Sequence, residues 1–177
     1  MIIGLTGSYG AGKGEVADYL VKNGFEYFSL SDEIREVLMG RGMNPTRDNL
    51  ISAGNELRAK FGAGYWAERV ARKIKKSCVV DSIRNPLEVE VLRRKDSFVL
   101  VAITAPAELR FERSKERGGV ADDVTMQEFV ENEKREMSSD PAKQQLHIVM
   151  EMADYKIVND GTLEELHAKV DKVLEEL

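Results

Sequence analysis

Gly7-Ser8-Tyr9-Gly10-Ala11-Gly12-Lys13-Gly14 follows directly on the run Ile2-Ile3-Gly4-Leu5-Thr6 and precedes a helix-forming stretch over 15–22. The order is strand, glycine-rich turn, helix. The spacing is G-x-x-x-x-G-K, the P-loop pattern that wraps the phosphates of a nucleoside triphosphate. Such a turn must aim several backbone N–H groups at one set of oxygens, which takes conformations open mainly to glycine. The helix behind it adds unpaired N–H groups and the positive end of its dipole. Lys13 brings a full charge for the outer phosphates. The competing reading is a turn that merely lets a helix pack on a strand, and it leaves the lysine and the spacing without a reason.

Around this motif the chain reads as one domain. Its 177 residues are enough for a substantial core, and 42% hydrophobic with 32% charged residues is the balance of a soluble globular protein. A net charge of −5 argues against a general nucleic-acid binder, which needs an excess of Lys and Arg on one face. One cysteine, Cys78, sits in an apolar run and reads as a buried thiol. The chain shows no signal-peptide pattern and no membrane-length apolar run, so a cytoplasmic protein with no membrane partner is expected. Monomer and homodimer are equally compatible with the sequence.

Short apolar runs at about 2–6, 26–30, 78–81, 98–104 and 155–158 predict five strands, with helices between them. That alternation predicts an α/β fold, a parallel sheet covered by helices on both faces. The gap 31–76 predicts three helices: one capped by Ser31, a second near 48–60 after Pro45-Thr46, a third over 66–76. A last amphipathic helix is expected over 162–177, with Leu163, Leu166, Val170, Val173 and Leu174 on one stripe. Met137, Met150 and Met152 read as core filling, and His147 and His167 lack a partner at metal spacing.

In an open α/β sheet ligands bind beyond the carboxyl ends of the strands. Polar residues gather there. Ser31, Asp32 and Arg35 follow the second strand, Asp81-Ser82-Ile83-Arg84-Asn85-Pro86 the third, and Asn159-Asp160-Gly161 the fifth. Asp81 reads as an acid that holds Mg²⁺ through water or orients the attacking oxygen; the alternative is a turn or capping aspartate. Arg35 and Arg84 each lie three residues after an acid, so both should face one cleft and grip a phosphate, the alternative being two surface ion pairs. Arg110, Arg113 and Arg117 precede Gly118-Gly119 and Asp122-Asp123 and read as a lid or as a solvated helix face.

On these residues the chain resembles the P-loop kinases of small metabolites, the nucleoside monophosphate kinases and dephospho-coenzyme A kinase, over nearly its whole length. It is also similar to archaeal proteins described as nucleotide kinases. The resemblance implies a P-loop NTPase fold with an acceptor-binding helical insertion at about 31–76 and a short lid at about 113–125. It implies ATP held by Gly7, Ser8, Tyr9, Gly10, Ala11, Gly12, Lys13, Gly14 and Glu15, with Asn159 and Gly161 near the adenine. Asp32, Arg35 and Arg84 would bind the acceptor, while Lys13, Asp81, Arg113 and Arg117 would be catalytic, with Mg²⁺ at Asp81. Asn49, Asn55, Arg58, Tyr65 and Trp66 would shape the acceptor pocket. Two departures stand out. Gly14 lacks the hydroxyl that usually meets Mg²⁺, and Glu15 puts a carboxylate beside the phosphates. The expected activity is transfer of the γ-phosphoryl group of ATP to a small phosphate-bearing acceptor, a nucleoside monophosphate or dephospho-coenzyme A. The alternatives are an ATP-binding regulatory or assembly protein with little kinase activity and a stand-alone hydrolase.

Overall fold

In the computed structural model, which describes residues 1–117 and 125–177 (Arg117 by its backbone alone), all five apolar runs are strands. They are β1 (Ile2–Thr6), β2 (Glu26–Ser29), β3 (Cys78–Asp81), β4 (Phe98–Thr104) and β5 (Tyr155–Val158). Every neighbouring pair is parallel, in the order β2-β3-β1-β4-β5. Ile2 stands opposite both Cys78 and Phe98, which places the ends of β1 and β3 side by side. The fold is α/β and P-loop kinase-like.

The helices among the described residues are α1 (Lys13–Lys22), α2 (Leu30–Gly40), α3 (Arg47–Phe61), α4 (Tyr65–Ala71), α5 (Pro86–Arg93), α6 (Ala107–Arg117), α7 (Met126–Lys134), α8 (Leu146–Glu151) and α9 (Leu163–Glu175). Strand side chains alternate between the two faces of the sheet and so build two cores. Ile3, Leu5, Val79, Val101 and Ile157 face α1 and α9. Ile2, Cys78, Val80 and Leu100 face α2, α3, α4, α5 and α8, around the fully buried Trp66. Burial lifts the Cys78 thiol to about 11, as expected of an inert core cysteine. No helix among the described residues is long and apolar enough to cross a membrane.

Several local expectations need correction. Ser31 does not cap α2: the helix starts at Leu30, straight off the strand, and its N-cap residue Ser29 makes no side-chain capping bond. The helix expected over 66–76 stops at Ala71. Leu163 and Met137 are exposed rather than core, because Leu163 opens α9 and Met137 lies in an irregular segment after α7. His167 stacks on Tyr19 with ring centroids 4.0 Å apart. Thr46 caps α3 as its position suggests, and Thr162 with Glu165 forms a capping box on α9.

One buried ion pair ties the helices between β2 and β3 to the segment after β3. Arg58 of α3 meets Glu88 of α5 at 2.8 Å, both side chains essentially without solvent. The second oxygen of Glu88 accepts from the backbone N–H groups of Arg84 (2.9 Å) and Asn85 (3.0 Å). Glu88 therefore holds the backbone from which Arg84 projects. Removing it strands a buried guanidinium, a loss of the kind that costs about 3–5 kcal/mol. Glu88→Ala is expected to lower the thermal midpoint by many degrees in calorimetry, whereas Asp32→Ala, at an exposed ion pair, is expected to leave it nearly unchanged.

Candidate functional site

The path from β1 to β2 passes over β3, and the path from β3 to β4 passes back over β1, so the chain diverges at the carboxyl end of β1. A crevice opens at such a point. Here it is a cleft of about 880 Å³, and the P-loop, Asp81, Ser82, Arg84 and Gly161 all line it.

Glycine is required in the loop for two separate reasons. Gly7 has φ +131°, and a Cβ there would stand 1.9 Å from the carbonyl oxygen of Ile103 in the neighbouring strand. Gly12 has φ +95°, and a Cβ would stand 2.3 Å from Asn159 Nδ2. That amide donates to the carbonyl of Ala11 at 3.0 Å, and the Asn159 backbone N–H donates to Thr104 at 2.7 Å. Arg113 donates to the Asn159 carbonyl at 3.0 Å. The loop after β5 is thus a clamp on the P-loop. Gly14 differs: nothing lies within 4 Å of a Cβ added there.

Lys13 folds back onto the loop, donating to the carbonyls of Gly7 (2.8 Å) and Ser8 (3.0 Å). Burial lowers its ammonium to about 8; Asp81 and Glu136 nearby pull it upward, while Arg84 and Arg110 oppose them. Asp81 accepts from the Ser82 N–H at 2.5 Å, and Ser82 has φ +67°, an uncommon conformation for a residue other than glycine. Glu15 is exposed on the first turn of α1, lines the cleft and makes no ion pair with any described residue.

Across the cleft lie the cations. Arg35 lines it but is half exposed and pairs with Asp32 at 2.5 Å. Arg84 does not pair with Asp81; it bonds Glu136, a carboxylate 3% exposed. Arg47 meets the same carboxylate at 2.9 Å and lies over the Tyr9 ring at 4.4 Å. Burial alone would raise the Glu136 carboxyl, but Arg84, Arg47 and Lys13 outweigh it and hold it below the usual carboxylate range. Two guanidiniums share one carboxylate, which leaves a net positive seat. Ile34, Pro45, Leu50 and Ile51 supply the apolar wall beside it.

Of the residues expected to shape an acceptor pocket, only Arg58 lines the cleft. Trp66 is core, its indole N–H on the Gly54 carbonyl; Tyr65 stacks on Phe61; Asn49 bonds Asn44 and Asn55 bonds Arg58. Arg110 is no lid residue: it forms a bidentate pair with Glu133 and donates to the Tyr9 carbonyl at 3.1 Å. The lid expected at about 113–125 falls outside the described residues over 118–124, as does the Arg117 side chain. Sequence reasoning missed Arg47, Glu136 and Gln144. A faint signal marked Arg47, a cation at the first position of a helix, where the dipole disfavours it. Glu136 lay hidden in a charged run.

A family model described as an AAA domain matches residues 3–139. The chain is 33% identical to a UPF0200 protein of Pyrococcus horikoshii, over all of this chain and 97% of the relative, and 32% identical to one of Thermococcus kodakarensis, over all of this chain and 98% of the relative. The chain belongs to the UPF0200 family. Among solved structures it is similar to TT1252 from Thermus thermophilus (TM-score 0.63, 22% identity, 100% and 97% of the two chains). It is also similar to shikimate kinase from Acinetobacter baumannii in complex with shikimate (TM-score 0.60, 20% identity, 99% and 93% covered). At these identities the likeness shows the fold, that of small P-loop kinases. For this UPF0200 chain the P-loop domain implies nucleotide binding.

The two kinds of glycine separate by mutation. Gly7→Ala meets backbone at an impossible distance and is expected to destabilise by on the order of 2 kcal/mol or more. Gly14→Ser meets open space in a helix first turn and is expected to melt at or above the wild-type temperature. Paired thermal denaturation curves check both.

Proposed function

We propose that the chain is an ATP-dependent phosphotransferase that moves the γ-phosphoryl group to a small phosphate-bearing acceptor, of the nucleoside monophosphate or dephospho-coenzyme A kind. The observation that carries this reading is the sharing of one cleft by a P-loop and, opposite it, a buried seat with more guanidinium than carboxylate charge. Phosphoryl transfer needs little covalent help from a protein; it needs two anions placed in line and their charge compensated.

In this reading the N–H groups of Ser8 to Gly14 hold the donor phosphates. Lys13 leaves the carbonyls of Gly7 and Ser8 for the outer phosphates, whose negative charge favours its ammonium form. Arg84, Arg47 and Arg35 receive the acceptor phosphate, with α2 to α4 as the acceptor-binding part of a single kinase domain. Arg113 holds the Asn159 loop against the P-loop, and Arg117 belongs to a lid over about 113–125 that excludes water. Among the described residues no three metal-ligating side chains cluster, so Mg²⁺ would be held by Asp81 and the nucleotide together. When bound it supplies charge neutralisation at the transferring phosphate.

Glu15 favours a second reading, an ATP-binding regulatory or assembly protein with little kinase activity. Its carboxylate lines the phosphate side of the cleft and forms no ion pair with a described residue. ATP turnover measured with and without nucleoside monophosphates and dephospho-coenzyme A separates the two. A kinase releases ADP only with its acceptor, and Lys13→Ala is expected to lower that turnover about 10²–10³-fold. ATP binding without turnover on any acceptor supports the second reading, and turnover unchanged by Lys13→Ala removes the lysine from the mechanism.

A further inference from the structure

Gln144 is 4% exposed, lines the cleft, and its amide oxygen has no hydrogen-bond partner. Among the described residues it is the one buried side-chain oxygen or nitrogen left in that state. Buried polar atoms are paired in the large majority of cases, so an orphan on a residue that lines a cleft asks for a ligand. Its place is built, not accidental. The Gln144 carbonyl accepts from Ser138 at 3.0 Å, the next N–H donates to the Arg84 carbonyl at 2.8 Å, and the one after donates to the Glu136 carbonyl at 2.9 Å. Gln144 therefore belongs to the seat of Arg84 and Glu136, not to the P-loop side.

Three arginines of the same cleft are committed elsewhere. Arg84 and Arg47 are held by Glu136, and Arg58 by Glu88 and Asn55. We propose that Gln144 is a specificity-determining residue whose amide oxygen accepts a hydrogen bond from an N–H or O–H group of the acceptor. This rests on the phosphotransferase reading above and deepens it. The acceptor is then a phosphate monoester that also carries an amine, amide N–H or hydroxyl, and not a bare phosphate or an alkyl phosphate. A site built around such a bond strongly rejects the analogue that lacks the donor, because the protein oxygen is then left buried and unpaired.

The test uses the full chain, ATP and matched acceptors: AMP against purine riboside 5′-monophosphate, CMP against its 4-deamino analogue, and each ribonucleotide against its 2′-deoxy counterpart. The first two pairs isolate an N–H donor, the last an O–H donor. The expected result is a wild-type preference in kcat/KM of about tenfold or more for the donor-bearing member of at least one pair. In Gln144→Met that preference shrinks to within about twofold through loss on the donor-bearing member, with ATP affinity unchanged and the thermal midpoint not lowered. A preference that survives Gln144→Met, or an equal loss on both members, overturns the role of Gln144 while leaving the kinase reading standing. Wild-type protein that turns over dephospho-coenzyme A or any of these acceptors but shows no preference within any pair overturns the role of Gln144 alone, and wild-type protein that phosphorylates none of them, dephospho-coenzyme A included, overturns both. Should Gln144→Met fail to fold, Gln144→Leu, which also removes the accepting oxygen without adding charge, takes its place with the same expected and overturning results.

Discussion

Everything in this molecule's cleft depends on the tight turn between β1 and α1, where backbone N–H groups must converge without side chains in the way. The turn survives only because three neighbours brace it. Ile103 of β4 stands where any side chain at position 7 would go. Asn159 bonds the Ala11 carbonyl and fills the space beside Gly12. Arg110 reaches the Tyr9 carbonyl while gripping Glu133. A loop held from three sides keeps its amide dipoles oriented before any anion arrives, and such preorganisation makes electrostatic stabilisation effective.

The far side of the cleft works by a different economy of charge. One buried carboxylate, Glu136, draws Arg47 from α3 and Arg84 from the loop after β3 onto one spot. Behind it, Glu88 fixes the Arg84 backbone and neutralises Arg58. Distant parts of the chain are thereby locked into one polar lattice. Lys13 lies within the influence of both sides, since Asp81, Arg84 and Glu136 all act on its ammonium. The P-loop and the guanidinium seat line one cleft.

The strands and the P-loop were legible because each rests on local pattern: β-branched runs between turn residues, and a glycine spacing with a single geometric meaning. Helix ends were less so. α2 begins directly off a strand without a side-chain cap, a start that leaves no mark in sequence. The lining of the cleft was legible where it lies on strand ends, at Asp81, Arg84 and Asn159. It was not legible where long-range pairing decides the role. Arg110 carries the same composition as Arg113, yet one is locked by Glu133 and the other reaches Asn159. Glu136 and Gln144 arrive from the segment around 135–145, whose place beside β3 is set by tertiary bonds to Arg84 and Asn85. Trp66 and Tyr65, plausible pocket residues by type, proved to serve packing.

The grip of the main chain on a triphosphate is most directly tested by titrating ¹⁵N-labelled protein with ATP and Mg²⁺ and following the backbone amide resonances. Hydrogen bonding to phosphate should move the resonances of Gly10, Gly12, Lys13 and Gly14 far downfield in step, with smaller changes at Asn159 and Gly161. Shifts confined to other parts of the chain, or none at millimolar ATP, would contradict nucleotide binding at this turn and with it the phosphotransferase reading.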